Sequence, residues 1–378
     1  MSLNILYQFN DKYAPYAGVS LTSLYENNKA AKEIRVWVVG EGLSDENIAR
    51  LVATAARYDE DESASGHLNR IHDAAGDRPD ANVSDAAGDR PDANAHKCLR
   101  TITFVDSSTL IDKMKALNMP TYRGSYAANV RLFVSEFIPE DVDRLLYLDA
   151  DTIVTGSLSE LFDTDLKGSA LGMVLDSVGE NHKKDLNLSD SEGYYNSGVL
   201  LIDMNVWRRD NYTEKIVDHV KTVRAQYPSP DQDLLNVVCR GNIATLPARY
   251  NYQPFHDAYS DKLYYKYYGK TYYYTREELD RDREDTVIYH CFRFIGEFPW
   301  DKGNVHPFTK LFDHYTGMSK WCDYTKTPKE KDLVMKIEKI MYKVLPKQLF
   351  MRIFTIAHGR FYSGANAKSE KGQISKQM

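Results

Sequence analysis

Cysteine is scarce in this chain of 378 residues: Cys98, Cys239, Cys291 and Cys322 are scattered, and none makes a CxxC pair. That spacing excludes a disulfide scaffold and a cysteine zinc site, and it fits a reducing compartment. Long apolar runs are missing too. No stretch of 18 apolar residues occurs, and the start "MSLNILYQFND" has no basic segment ahead of an apolar core. Neither secretion nor a spanning helix is expected, which points to the cytoplasm. What the chain does contain is 43% hydrophobic residues, ample for one large α/β domain with appendages or for two domains. Its net charge of −6 conceals asymmetry: residues 59–99 hold ten acidic and four basic residues, and residues 324–378 hold twelve basic and four acidic. No nucleic-acid partner is expected.

Strands alternate with helices from the start. "NILYQF" (4–9) reads as a strand and 13–28 as a helix; "IRVWVVG" and the helix after Ser44, a natural N-cap, repeat the unit. Such alternation predicts a mostly parallel sheet with its ligands at the carboxyl ends of the strands. Residues 59–99 interrupt it. "DAAGDRPDAN" occurs at 73–82 and again at 85–94 in a segment poor in aliphatics, so 59–99 reads as a mobile surface insertion, natural or engineered. Its acids do not match a calcium-loop spacing. The pattern then resumes through "TITFVD", "YAANVRLFVSEFI", "ALGMVLDSV" and "GVLLIDM". The tyrosine-rich stretch 262–275 receives no role. In the tail, Leu333, Ile337, Ile340, Met341 and Val344 share one helical face amid lysines. A basic amphipathic helix of this kind either adsorbs to an anionic membrane or docks on its own domain.

The chemistry gathers around "RLLYLDADTIV". Asp149 and Asp151 follow a short buried strand, and two residues of one strand parity project to the same side, where they repel unless a cation lies between them. A divalent metal would satisfy them; solvation or capping is the bland alternative. His290, ending "TVIYH", offers a third ligand or a structural imidazole, and two carboxylates with one imidazole suit Mn²⁺ better than Mg²⁺. "YYNSGVLLIDMNVW" presents Asn196 beside a Ser-Gly turn ahead of a strand. "PSPDQDLLN" places Asp231, Gln232 and Asp233 at a helix start, either as dipole partners or as acceptors for ligand hydroxyls.

Taken in order, these pieces resemble the family 8 retaining glycosyltransferases. The resemblance runs through most of residues 3–310: "ND-YA-Y-GVSLTSL", Arg131 in "VRLFVSEFI", "LYLDADTIV", Asp176 in "VLDSV", "YNSGVLLID", "DQDLLN", "ARYNYQP" and a terminal "H…PW". It implies a GT-A-type nucleotide-sugar-binding α/β domain over 1–310, with a basic helical tail over 311–378. It implies UDP-glucose or UDP-galactose as donor and a lipid-linked glycan, glycolipid or surface polysaccharide as acceptor, reached from the inner face of a membrane. Asp149, Asp151 and His290 would hold Mn²⁺. Tyr13 would stack on uracil with Asn10 and Asp11 nearby, and Arg131, Asp176, Asn196, Asp231 and Gln232 would line the sugar pocket. Two departures stand out: Asn10 and Lys12 replace the common Asp and Asn, and "HCFRFIGEFPWDK" lacks the usual Lys before Pro, leaving Arg293 or Lys302 for the phosphates. Two rival readings are a haloacid-dehalogenase-type phosphatase, whose late acidic motif "GDRPD" mimics, and a sugar-binding protein of the same fold without turnover.

Overall fold

The computed structural model describes residues 2–59, 68–73, 98–122, 124–223, 227–256, 260, 262–263, 272–329, 333–354 and 356–357. Its strands are β1 (Ser2–Asn10), β2 (Glu33–Glu41), β3 (Leu68–Asp73), β4 (Leu99–Asp106), β5 (Arg144–Asp149), β6 (Thr152–Val154), β7 (Leu171–Leu175), β8 (Tyr195–Asp203), β9 (Ile243–Thr245) and β10 (Ile288–His290). Eight of them form one sheet in the order β3-β4-β2-β1-β5-β8-β7-β9, and β6 pairs separately with β10. In the large sheet only β8 runs against its neighbours, so the sheet is mostly parallel.

The pleat sorts the core into two layers. In β1, Leu3, Ile5, Tyr7 and Phe9 join one layer while Leu6 joins the other; in β5, Leu146 and Leu148 oppose Leu145 and Tyr147. Both faces are covered, which is why the strands read as nearly continuous apolar runs. The helix Ala14–Asn27, opened by Pro15 in its first turn, lies in the first layer. A Cβ at Gly18 would sit 1.9 Å from a ring carbon of Trp321, so only glycine lets that indole pack on the helix. Phe312 and Tyr315 of the helix Thr309–Met318 join the same layer. That helix, which the sequence assigns to a tail starting at 311, is therefore part of the core packing.

Residues 59–99 also depart from expectation. Residues 68–73 are not surface excursion but the edge strand β3, parallel to β4. Both copies of the repeat, apart from Asp73, lie outside the described residues, as does most of 262–275; within the latter, Tyr274 is buried and accepts from the Leu175 amide. The helix Leu333–Val344, through Met341 and Tyr342, and the residues after it, through Leu345, Phe350, Met351 and Phe354, dock on the domain in a third cluster with Leu263, Phe294 and Ile295. The rest of its apolar stripe faces outward: Leu333 is 71% exposed, Ile337 47%, Ile340 61% and Val344 70%.

Candidate active site

Asp149 is the last residue of β5, and Asp151 lies in the turn that leads to β6. Strand parity therefore does not align the two acids. The β6–β10 ladder does: it sets His290 opposite Thr152, and the Cys291 amide donates to the Asp151 carbonyl at 2.7 Å. His290 Nε2 then stands 3.3 Å from Asp151 Oδ1 and 3.7 Å from Asp149 Oδ2, and one ligand atom from each of the three residues lies within 4.8 Å of the others. Asn196–Gly198 lie inside β8, not in a turn before it. A Cβ at Gly198 would fall 2.2 Å from His290 Cε1 and 2.9 Å from Asp149 Oδ2, so a strand without a side chain here is what admits the imidazole.

Arg131 projects from the 3₁₀ segment Ala127–Glu136 into this corner and is only 6% exposed. It donates to Asp149 Oδ1 (3.0 Å) and to the Ser197 carbonyl (2.7 Å), and lies 3.4 Å from Asp231 Oδ2, with its guanidinium 4.0 Å above the Tyr147 ring. Burial works against its charge, but Tyr147, Asp149 and Asp231 outweigh it and keep it firmly protonated. The Tyr147 hydroxyl also donates to Asp149 Oδ1, at 2.6 Å. Asp149 thus divides its oxygens: Oδ1 is held by Arg131 and Tyr147, while Oδ2 faces His290. Among the described residues Arg131 makes no ion pair with Asp151, whose Oδ1 faces His290 instead. Two carboxylates and an imidazole at this spacing fit a divalent ion.

Beside the corner, Asp176 Oδ2 accepts from Asn196 Nδ2 (3.1 Å) and Gln232 Nε2 (3.0 Å). Burial raises the Asp176 carboxyl and these bonds only partly offset it; Asp231 is raised likewise by burial, against Arg131. Gln232 is anchored at both ends: its oxygen accepts from the Ser197 amide at 2.9 Å, and its nitrogen also reaches the Tyr194 hydroxyl at 3.0 Å. Tyr194 donates to the fully buried Asp233, which also contacts His182 Nε2 at 2.9 Å.

The remaining expected residues surround this centre. Tyr13 is 39% exposed, and its hydroxyl is pushed up by burial and then by Asp151, against Arg293. Arg293 rests 5.3 Å over Phe298, which stacks on Trp300 and, through it, on Tyr16. Asn10 closes β1 and is exposed. Asp11 directs Oδ1 to the Ser44 amide and hydroxyl and to Asn47 Nδ2, tying the end of β1 to the start of the helix Asp45–Ala56. Lys302 is exposed. Sequence reasoning passed over Gly198, Tyr147, Tyr194 and Asn251. A glycine inside a strand was a usable sign of close approach; Asn251 stood within the quoted "ARYNYQP" but drew no role, because its partners are distant in sequence.

The model of glycosyl transferase family 8 matches residues 4–302. The chain belongs to this family. General stress protein A of Bacillus subtilis is 24% identical over 319 residues, covering 82% of this chain and 92% of that protein. A lipopolysaccharide 1,2-glucosyltransferase of Escherichia coli K12 is 31% identical over 232 residues, 60% of this chain and 64% of that one. The galactosyltransferase LgtC, solved in complex with donor and acceptor sugar analogues, shares the fold with a TM-score of 0.57 at 24% identity, covering 84% of this chain and 96% of its own. The architecture of this family 8 chain is accordingly of GT-A type, and the phosphatase reading falls.

Proposed function

We propose that this family 8 enzyme is a retaining hexosyltransferase that moves glucose or galactose from a UDP-sugar to a lipid-linked or surface-polysaccharide acceptor. One observation carries the reading: Asp149, Asp151 and His290 converge beside a bonded cluster of Arg131, Asp176, Asn196, Asp231 and Gln232, where β1 and β5 end. Relatives named as a lipopolysaccharide glucosyltransferase and a galactosyltransferase support a hexose and a surface glycan. Asp149, Asp151 and His290 would hold Mn²⁺, with Mg²⁺ a poorer match to an imidazole. Bound there, such an ion supplies positive charge for a departing diphosphate. Tyr13 would stack on the uracil, with Asn10 and Asp11 near its edge and the ribose. Of the two candidate phosphate contacts we choose Arg293, since its charge is felt at Tyr13 together with that of Asp151. Retention requires the acceptor to attack the face that UDP leaves. Gln232 is an amide, a poor nucleophile, and both its ends are engaged, so its part is to stabilise an oxocarbenium-like centre electrostatically. UDP release from a panel of UDP-sugars, with and without Mn²⁺, tests this: release from one donor only with metal is expected, and metal-independent release would overturn the cation's role.

The same reading places the enzyme on a membrane surface. No helix among the described residues is long and apolar enough to cross a membrane. The support is the outward stripe Leu333, Ile337, Ile340 and Val344, flanked by Lys336, Lys343 and Lys347, which suits the headgroup region of an anionic bilayer. Co-sedimentation with anionic vesicles is expected, and equal binding to neutral ones would remove the electrostatic part.

A further inference from the structure

Asn251 is fully buried and joins the two halves of the site, bonding to His290 on one side and to Asn196 on the other. It arrives there because the backbone of Tyr252 pairs with β10: the Tyr252 amide donates to the Ile288 carbonyl at 2.8 Å, and the His290 amide to the Tyr252 carbonyl at 3.0 Å. Its side chain lies between His290 Nδ1 (2.9 Å) and Asn196 Oδ1 (2.8 Å). The direction of each bond follows from one group that cannot change role. The Gly198 backbone N–H is a donor only, and it points at Asn196 Oδ1 at 2.9 Å. Asn196 therefore presents its oxygen to Asn251, and its Nδ2 is left to donate to Asp176 Oδ2. Asn251 must then offer Nδ2 to Asn196 and Oδ1 to the imidazole. This chain of bonds favours the proton of a neutral His290 at Nδ1, where Asn251 Oδ1 accepts it, and leaves Nε2 to face Asp149 and Asp151.

We infer that Asn251 is a positioning residue that holds His290 in its metal-binding tautomer and links that ligand, through Asn196, to Asp176 in the sugar pocket. Partners of this kind, which fix the second ring nitrogen of a ligand histidine, typically carry about 10–100-fold in metal affinity. The metal arm of the inference rests on the proposed cation site; the tautomer arm stands without it. The experiment combines ¹⁵N-histidine NMR of the metal-free protein, at a pH where His290 is neutral, with Mn²⁺ titration followed by electron paramagnetic resonance. Wild type is expected to show the Nδ1–H form. Asn251→Leu should give a mixture of tautomers and bind Mn²⁺ about 10–100-fold more weakly. Asn251→Asp keeps an acceptor for Nδ1–H but loses the donor to Asn196, so it should recover Mn²⁺ binding while kcat for donor cleavage stays low. An Nε2–H form in wild type overturns the inference, even if the Leu variant fails to fold. So does a folded Asn251→Leu that keeps both the tautomer and the affinity. If wild type shows Nδ1–H but no variant or wild type binds Mn²⁺, the proposed cation site is what fails, and the tautomer assignment stands.

Discussion

Two regions of this enzyme invert the usual distribution of polarity. Where β5 ends, Arg131, Asn196, Asp231, Asn251 and His290 are all less than a tenth exposed, and the bonds among them satisfy one another. Along Leu333–Val344, aliphatic side chains stand in solvent while the opposite side of the helix grips the domain. Buried polarity and exposed apolar surface are the two departures from ordinary burial that carry information. The first costs desolvation and endures only because each group has a partner. The second costs nothing in the fold and remains available to a partner of matching chemistry. One region is closed on itself by its bonds; the other leaves apolar surface open to solvent.

The sharpest way to break the contrast is at the carboxylates. Asp149→Ala and Asp151→Ala are each expected to lower Mn²⁺-dependent UDP release by several kcal/mol, on the order of 10³-fold, with vesicle binding unchanged. Full activity in either variant would deny the buried corner its role. Next comes Gly198→Ala, whose methyl would collide with His290. It should lose about 1–3 kcal/mol of stability in a denaturant titration, and Mn²⁺ affinity with it; wild-type values for both would mean that β8 gives way easily. The double change Ile337→Glu and Ile340→Glu should weaken binding to anionic vesicles roughly 10–100-fold while leaving UDP release intact. Unaltered vesicle binding would show that the stripe is not what meets the bilayer.

The smallest effect is expected at His182, at the outer margin of the buried network. Burial lowers its pKa, but the bond to Asp233 and the charges of Asp233, Asp185 and Asp176 outweigh it, so the folded value is raised. A raised folded pKa means that stability is fully present below the unfolded value near 6.5 and is lost as pH climbs through the folded one. The Tm deficit of His182→Gln against wild type should accordingly be larger at pH 6 than at pH 9. A deficit equal at both values would show that the imidazole acts through shape alone.

Much of this could be read from residue order. Apolar runs separated by amphipathic helices foretold the mostly parallel sheet, Ser44 caps its helix with a bond from the Asn47 amide, and Asp149, Asp151 and His290 were picked out by residue type, although Asp151 lies in a turn and not in the strand. Other parts resisted for definite reasons. The acids meet through the register of β6 on β10, a pairing of residues more than a hundred positions apart. A strand inside 59–99 was hidden because edge strands need little apolar content. The helix Thr309–Met318 was assigned to the tail because nothing local reports that Phe312 and Tyr315 pack into the layer of the Ala14–Asn27 helix.

Sequence alone determined which residues could do chemistry here and the order in which strands and helices would follow, because both depend on side-chain type and short-range periodicity. Only the tertiary structure decided which oxygen of Asp149 faces His290, which ring nitrogen of His290 meets Asn251, and which face of the last helix meets solvent. These depend on hydrogen bonds and packing between segments far apart in the chain, whose distances are set when the sheet closes and not before.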